Sequence, residues 1–463
     1  MGKNFAIDRA IFLTNWVAIE LLAIEWEPIY DLMQLIRNRA SSIYYGWWIL
    51  AAGSAITMVG SVHSSVVSVF FLPLTRELGI GRAALSLLFS LARLEGGIEG
   101  PLVGWIIDRR GPRLPIFIGA LLGGTGLIAL TAVHNELTFV LVYVGWVALG
   151  FQMGFLQCMH AVANLWFMKY RTRAMSICSS SVRLGPAIFT PLVAAIAITQ
   201  GWRAASILSG VVVLIVALPL ALLIRRSPES MGLLPDGLVA SSAEREESAA
   251  THEQLLAQVT SPDGFGFGET LKTPSFWLIA FSTTVRTTMN SAFQVHFIPI
   301  FVWKGLTEQG GANMVGLVAL TATPLILLVG WLGDRWSKKN ILIMGQIAVA
   351  MALIILNFAN GKSAIYMFTM LFAFGANVSP ANYSILGEYY GRRSFARLRG
   401  VLNSLGIIGM VATVLAGWVF DTTGSYSMFI VGTGMSAGLA AVMLLLFLRK
   451  PERNATGLGI SGT

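Results

Sequence analysis

Gly104-Trp-Ile-Ile-Asp108-Arg109-Arg110-Gly111-Pro112-Arg113 decides how this chain is read. It separates two apolar runs, 82–107 and 114–133. A decayed copy, Gly330-Trp-Leu-Gly-Asp334-Arg335-Trp-Ser-Lys338-Lys339, follows 226 residues later, again between apolar runs. Glycine, Trp in second place, Asp-Arg and then further basic residues recur in both. An internal repeat at half-chain spacing constrains the architecture before any local feature does. Gly104 lets one helix end approach a neighbour closely. Gly111 and Pro112 enforce a tight turn. Asp108 is suited to accept hydrogen bonds from a helix N-terminus or an arginine, and Arg109, Arg110 and Arg113 are expected to hold the turn on the cytoplasmic side.

Composition agrees with a chain that lives in lipid. Of 463 residues, 55% are hydrophobic and 12% charged, and the mean hydropathy is +0.70. A soluble domain carries about 25% charged residues. Half that share, with apolar runs longer than a bilayer-spanning helix needs, indicates a polytopic membrane protein. The net charge of +9 does not point to nucleic acid, because the basic residues punctuate the spans instead of forming a patch. Cys158 and Cys178 both fall in apolar spans and imply no disulfide framework. Nucleotide loops, paired metal-ligand spacings and nucleophile-base motifs are not apparent, so neither an enzyme nor a cofactor is expected.

Twelve spans follow the hydropathy: 44–71, 82–107, 114–133, 138–165, 172–199, 204–224, 274–302, 312–333, 340–360, 363–390, 397–420 and 426–448. The organisation read from them is an N-terminal cytoplasmic or interfacial extension (1–43), a six-helix bundle (44–224), a polar cytoplasmic linker (225–273) with a short surface helix near Glu253–Val259, a second six-helix bundle (274–448) and a cytoplasmic tail (449–463). Two readings of 1–43 stand side by side: an amphipathic helix in the interface, or a start codon placed upstream of Met33. Loops on the side of the 104–113 stretch hold 20 Lys and Arg against 5 opposite, which puts both termini in the cytoplasm.

The repeated stretch resembles the signature between helices 2 and 3, echoed between helices 8 and 9, of major facilitator superfamily transporters. The resemblance covers about residues 44–450. It implies an all-α membrane protein of twelve transmembrane helices in two pseudo-symmetric six-helix bundles, with spans 1, 2, 4, 5, 7, 8, 10 and 11 lining a central cavity. Tyr45-Gly-Trp-Trp48, Arg82-Ala-Ala-Leu-Ser86 and Gly387-Glu388-Tyr-Tyr-Gly-Arg392-Arg393 look like the monocarboxylate and oxalate/formate branch. One departure is plain. The branch's substrate-binding arginine in span eight is replaced by Ile326, and span eleven lacks the lysine of the oxalate/formate relatives.

Ionisable groups at mid-bilayer cost about 2.5–3.5 kcal/mol each, so each needs a reason. Arg93, Arg183 and Arg286 lie mid-span in helices two, five and seven. Ser176, Ser179, Ser180 and Thr190 share the helical face of Arg183, and Ser282, Thr283 and Asn290 share that of Arg286. Arg93 lies on the small-residue stripe Gly96, Gly100, Gly104, expected against span eleven. Arg93, Arg183, Arg286, Ser179, Thr283 and Asn290 are therefore the candidate substrate contacts. Structural pairing of the arginines is the competing reading, but only two deep acids, Glu95 and Glu99, are present to balance them. Those two are proton-coupling candidates or polar anchors bonded to Gln157 or His160. His63 and His296, in the outer parts of spans one and seven, are further candidates for a pH-responsive gate or simple interfacial residues. The expected cytoplasmic gate comprises Gly104, Asp108, Arg109, Gly111, Arg113, Asp334, Arg335 and Glu388. Asp108 should dock on the start of span eleven, and Glu388 should pair with Arg335 or Lys338.

The expected function is secondary active transport of a small organic anion, of carboxylate type, across the cytoplasmic membrane by alternating access. A coupled proton or counter-anion, the lipid bilayer and a monomeric state complete the expectation. A carrier of a neutral or amphiphilic solute on the same fold and a non-transporting membrane sensor are the alternatives.

Overall fold

A computed structural model describes residues 44–78, 82–237, 264–358 and 361–451, with backbone alone for 67–68, 71–72, 82–95, 308–309, 312 and 410. The extension 1–43, the surface helix expected near 253–259 and most of the tail lie outside the described residues. The chain separates after Trp47 into two units, and all but the first three helical residues belong to the second.

Among the described residues, twelve long helices follow in order. They are α1 (Tyr45–Gly60 and Val62–Glu77), α2 (Arg82–Arg110), α3 (Arg113–Ala129), α4 (Glu136–Val142 to Leu156–Trp166), α5 (Arg171–Gln200), α6 (Trp202–Leu223), α7 (Pro274–Trp303), α8 (Glu308–Gly333), α9 (Lys338–Phe358), α10 (Lys362–Ala376 and Ser379–Tyr390), α11 (Phe395–Leu405 and Ile408–Thr423) and α12 (Ser427–Phe447). Nine helical stretches among the described residues are long and apolar enough to cross a bilayer. Helices α2, α7 and α11 fall outside that set, and these carry Arg93, Glu95 and Glu99, Arg286, and Arg397 and Arg399.

Large apolar side chains such as Phe117, Leu121, Leu439 and Leu445 stand exposed along α3 and α12. In water such a surface would be unfavourable by about 25 cal/mol per Å², whereas lipid removes that cost. Inside the second bundle, Phe293, Phe297 and Phe301 of α7 pack with Phe368 and Phe372 of α10, their ring centroids 5.1–6.3 Å apart. The linker enters as two 3₁₀ turns, Pro228–Met231 and Pro235–Gly237, and returns through the short helix Phe267–Leu271.

Two of the helix breaks have a residue-level cause. Pro380 has no N–H to give the carbonyl four residues earlier, so α10 opens at Asn377–Val378 and leaves the Ala376 oxygen free. Helix α11 breaks where Gly406 ends its first segment. The turn from α2 to α3 rests on Gly111, whose φ of +86° disfavours a residue with a Cβ.

A central cavity and two capped helix starts

The 104–113 stretch and its echo meet the opposite bundle in the same way. Asp108, at the end of α2, accepts hydrogen bonds from the Ala396 N–H (3.2 Å) and the Arg397 N–H (3.3 Å), and pairs with Arg397 Nε at 2.9 Å. Asp334, at the end of α8, accepts from the Thr172 N–H at 2.9 Å and pairs with Arg173 Nε at 3.2 Å. Each carboxylate thus satisfies unpaired donors at the start of a helix in the other half, α11 in one case and α5 in the other. Burial pushes the Asp334 carboxyl above its ordinary range, outweighing the bonds from Thr172 and Arg173.

Close approach makes the first latch feasible. A Cβ on Gly100 would stand 2.9 Å from the Gly400 carbonyl oxygen, and one on Gly104 would run into the carbonyl of Ala396. Gly96, expected on the same seam, faces Gln152 of α4 instead. Gly97 takes its place, since a Cβ there would stand 2.7 Å from Ile407 Cγ1, and the seam runs through Gly97, Gly100 and Gly104. Gln157 Nε2 donates to the Gly100 carbonyl at 2.8 Å and to the Ala396 carbonyl at 3.3 Å, so it ties α4 into the seam.

The remaining residues of this face sort by contact. Glu388 pairs with Lys338 at 2.6 Å. Arg335 does not join it, and its guanidinium lies 3.9 Å from the Trp331 ring centroid. Arg109 likewise covers Trp105 at 4.6 Å. Arg113 is exposed beside Arg110, Arg225 and Arg226. The first half has no acid matching Glu388, and the linker supplies one. Asp236 accepts from the Met168, Lys169 and Tyr170 N–H groups at 2.8, 2.7 and 3.3 Å, just ahead of α5. Arg392 pairs with Glu229 of the linker at 2.7 Å and donates to the Leu165 carbonyl at 2.6 Å.

A cavity of about 1220 Å³ lies between the halves. Its wall includes Arg183, Ser179 and His160 from the first half, and Arg286, Asn290 and Tyr383 from the second. Arg183 opens onto the cavity, while Arg286 is only 7% exposed. Arg286 Nη1 donates to the Ala376 carbonyl at 3.3 Å, the oxygen freed by Pro380. The two guanidinium groups lie within electrostatic reach of each other. Among the described residues lining the cavity there is no Asp or Glu. Ser179 donates to the Met175 carbonyl and accepts from His160 Nε2 at 3.0 Å. Ile326 lines the wall where the monocarboxylate branch would place its arginine.

Several expected contacts go elsewhere. Thr283 is buried, donates to the Ile279 carbonyl and accepts from Asn382 Nδ2 at 2.8 Å, so it ties α7 to α10 and lies off the cavity wall. Ser282 bonds Gln346 of α9, and Thr190 bonds Ser65 of α1. A polar stripe at helical period marks a face turned to polar partners, and here part of that face meets neighbouring helices. His63 stacks on Phe151 with ring centroids 5.0 Å apart. His296 is held between the Tyr426 hydroxyl (3.2 Å) and the Thr413 carbonyl (3.1 Å). The carbonyl requires Nε2–H as donor, which leaves Nδ1 to accept from Tyr426. Glu99 sits on α2 outside the cavity lining. The side chains of Arg93 and Glu95 lie outside the described residues.

Arg399 is the residue that sequence reasoning missed. Within the expected span 397–420 it is easily counted with the basic residues of the helix end, yet it lies one turn inside α11, 2% exposed, on the cavity wall. Its guanidinium covers the Tyr383 ring at 4.7 Å, and its Nε and Nη1 find no hydrogen-bond partner among the described residues. The signal available was its place next to Gly400, the residue that meets Gly100.

Two helical bundles joined through capped helix starts around a shared cavity define a polytopic membrane transporter, not an enzyme. The sequence profile of the Major Facilitator Superfamily matches residues 49–307 and 287–461, and the chain belongs to that family. Among curated relatives it is 25% identical to the probable sulfoacetate transporter SauU of Cupriavidus necator, over 84% of this chain and 90% of that one. It is 23% identical to monocarboxylate transporter 12 of Rattus norvegicus, over 86% and 85%. The solved structure of the proton:xylose symporter XylE bound to 6-bromo-6-deoxy-D-glucose superposes with a TM-score of 0.69 at 14% identity, covering 88% of this chain and 96% of that one. That likeness speaks to the fold alone.

Proposed function

We propose that this transporter carries a small organic anion, of carboxylate or related acid type, across the cytoplasmic membrane by alternating access. The carrying observation is that Arg183 and Arg286, one from each half, face one cavity whose described lining contains no carboxylate. Two uncompensated guanidinium groups favour an anionic ligand, which they can grip through charge-assisted bonds. A ligand held from both halves binds best when the halves close on it, and that difference drives the rocking. The names of the relatives, a sulfoacetate and a monocarboxylate transporter among them, support the same class. The excess of Lys and Arg on the latched face supports a cytoplasmic position for that face and both termini. The latched arrangement is then the outward-facing one.

The test is uptake into proteoliposomes after a thermal-shift screen of carboxylates, sulfonates and neutral solutes. Arg286→Gln removes a charge-assisted contact of about 1.5–3 kcal/mol and should cut anion uptake about tenfold or more. Arg286→Lys keeps the charge but loses the planar fork, so it should raise KM and retain some transport. If Arg183→Gln and Arg286→Gln both carry the solute like the parent, the arginines are structural and a neutral or amphiphilic solute takes the anion's place.

A further inference from the structure

We infer that the cavity reads a dianion: one acidic group at Arg183 and Arg286, and a second, nearer the latched face, at Arg399. This rests on the anion reading above and extends it to the number and spacing of charges. Arg399 is 2% exposed, lines the cavity and has two guanidinium nitrogens with no partner among the described residues. A buried arginine left in that state is costly, and removing water from it without replacing the lost bonds is the larger part of that cost. The ring of Tyr383 at 4.7 Å offers a cation–π contact, which stabilises the charge but accepts no N–H bond.

Depth separates the two points. Helices α5 and α11 both start at the latches, where Asp334 caps one and Asp108 the other. Arg183 lies twelve residues into α5, and Arg399 four residues into α11. Arg286 is likewise twelve residues into α7. At 1.5 Å per residue the Cα atoms differ in depth by about 12 Å, part of which the long side chains take up. The space between is bridged by polar groups: the Ser179 hydroxyl with His160, and His160 beside Tyr383 with ring centroids 5.2 Å apart. A ligand with one acidic group would leave either Arg399 or the upper pair uncompensated. A short chain with an acidic group at each end serves both.

Binding of matched acids to the purified transporter, measured by calorimetry at neutral pH, tests this: malonate against propionate, succinate against butyrate, glutarate against valerate. At least one dicarboxylate should bind about tenfold or more tightly than its monocarboxylate partner, the worth of one further charge-assisted contact. Arg399→Gln should abolish that preference, and Arg399→Lys should keep part of it. Monocarboxylates that match their dicarboxylate partners on the parent protein would overturn the dianion inference while leaving the anion reading intact. A dicarboxylate preference that persists in Arg399→Gln would overturn it too. Acids that fail to bind at all, beside a neutral solute that binds, would remove the anion reading and this inference with it. If Arg399→Gln does not fold, the parent comparison and Arg399→Lys still decide.

Discussion

At the scale of single residues, carboxylates cap and guanidiniums wait. Asp334 is spent on the α5 start, and desolvation raises its affinity for a proton. The latched form therefore holds that proton more readily than a form in which Asp334 meets water. Its contribution to stability is greatest below the ordinary carboxyl range and is lost as pH rises through the raised value. Asp334→Asn has no proton to exchange. The Tm of Asp334→Asn relative to the parent should improve steadily as pH climbs through that window, and a difference constant with pH would contradict the assignment. The arginines of the cavity differ in how far their roles could be read. Arg183 and Arg286 stand out from the sequence because they interrupt apolar spans. Arg399 hides among Arg392, Arg393 and Arg397, because a basic residue in the first turn of a helix reads as one more charge at the membrane edge. Thr283 misleads in the opposite direction, since a helical face turned to polar neighbours and one turned to a cavity have the same period.

At the scale of elements, helix positions were legible almost throughout. The expected start of α5 at 172 and end of α10 at 390 fall at 171 and 390. What periodicity does not encode is which helix a glycine faces. Gly100 meets Gly400 across the seam, whereas Gly96 meets Gln152 within its own bundle. A Cβ at Gly400 would press on the Gly100 carbonyl and Pro101 nitrogen, backbone atoms that cannot rotate aside. Gly400→Ala should destabilise the latched arrangement by about 1–3 kcal/mol, the range for an overpacked contact. Gly438→Ala in α12, which enters open space, serves as the control and should be neutral or mildly stabilising. Equal Tm values for Gly400→Ala and Gly438→Ala would mean that α2 and α11 do not need their close approach.

At the scale of the whole molecule, the linker does more than connect. Residues 228–237 hold the loop before α5 through Asp236 and the loop before α11 through Glu229 and Arg392. Asp236 adopts φ +60°, a backbone conformation that costs a non-glycine residue about 1–2 kcal/mol, so its contacts must offset that strain. Asp236→Ala keeps the strain and loses three acceptor bonds. It should lower Tm and speed maleimide labelling of a cysteine placed at Lys169, on the latched face. Labelling at the parent rate would show that the two Asp caps suffice without the linker. A composition scan sees this segment only as polar, and its partners lie outside any local window. The caps themselves have a consequence for how the protein tolerates change. Each is half side chain and half peptide backbone: an aspartate on one helix, N–H groups on the other. Every residue type except proline presents that N–H, so at Ala396, 1% exposed against Gly104, the latch constrains side-chain volume and not side-chain chemistry. The side-chain chemistry of each latch rests on two codons, those of Asp108 and Arg397 or of Asp334 and Arg173.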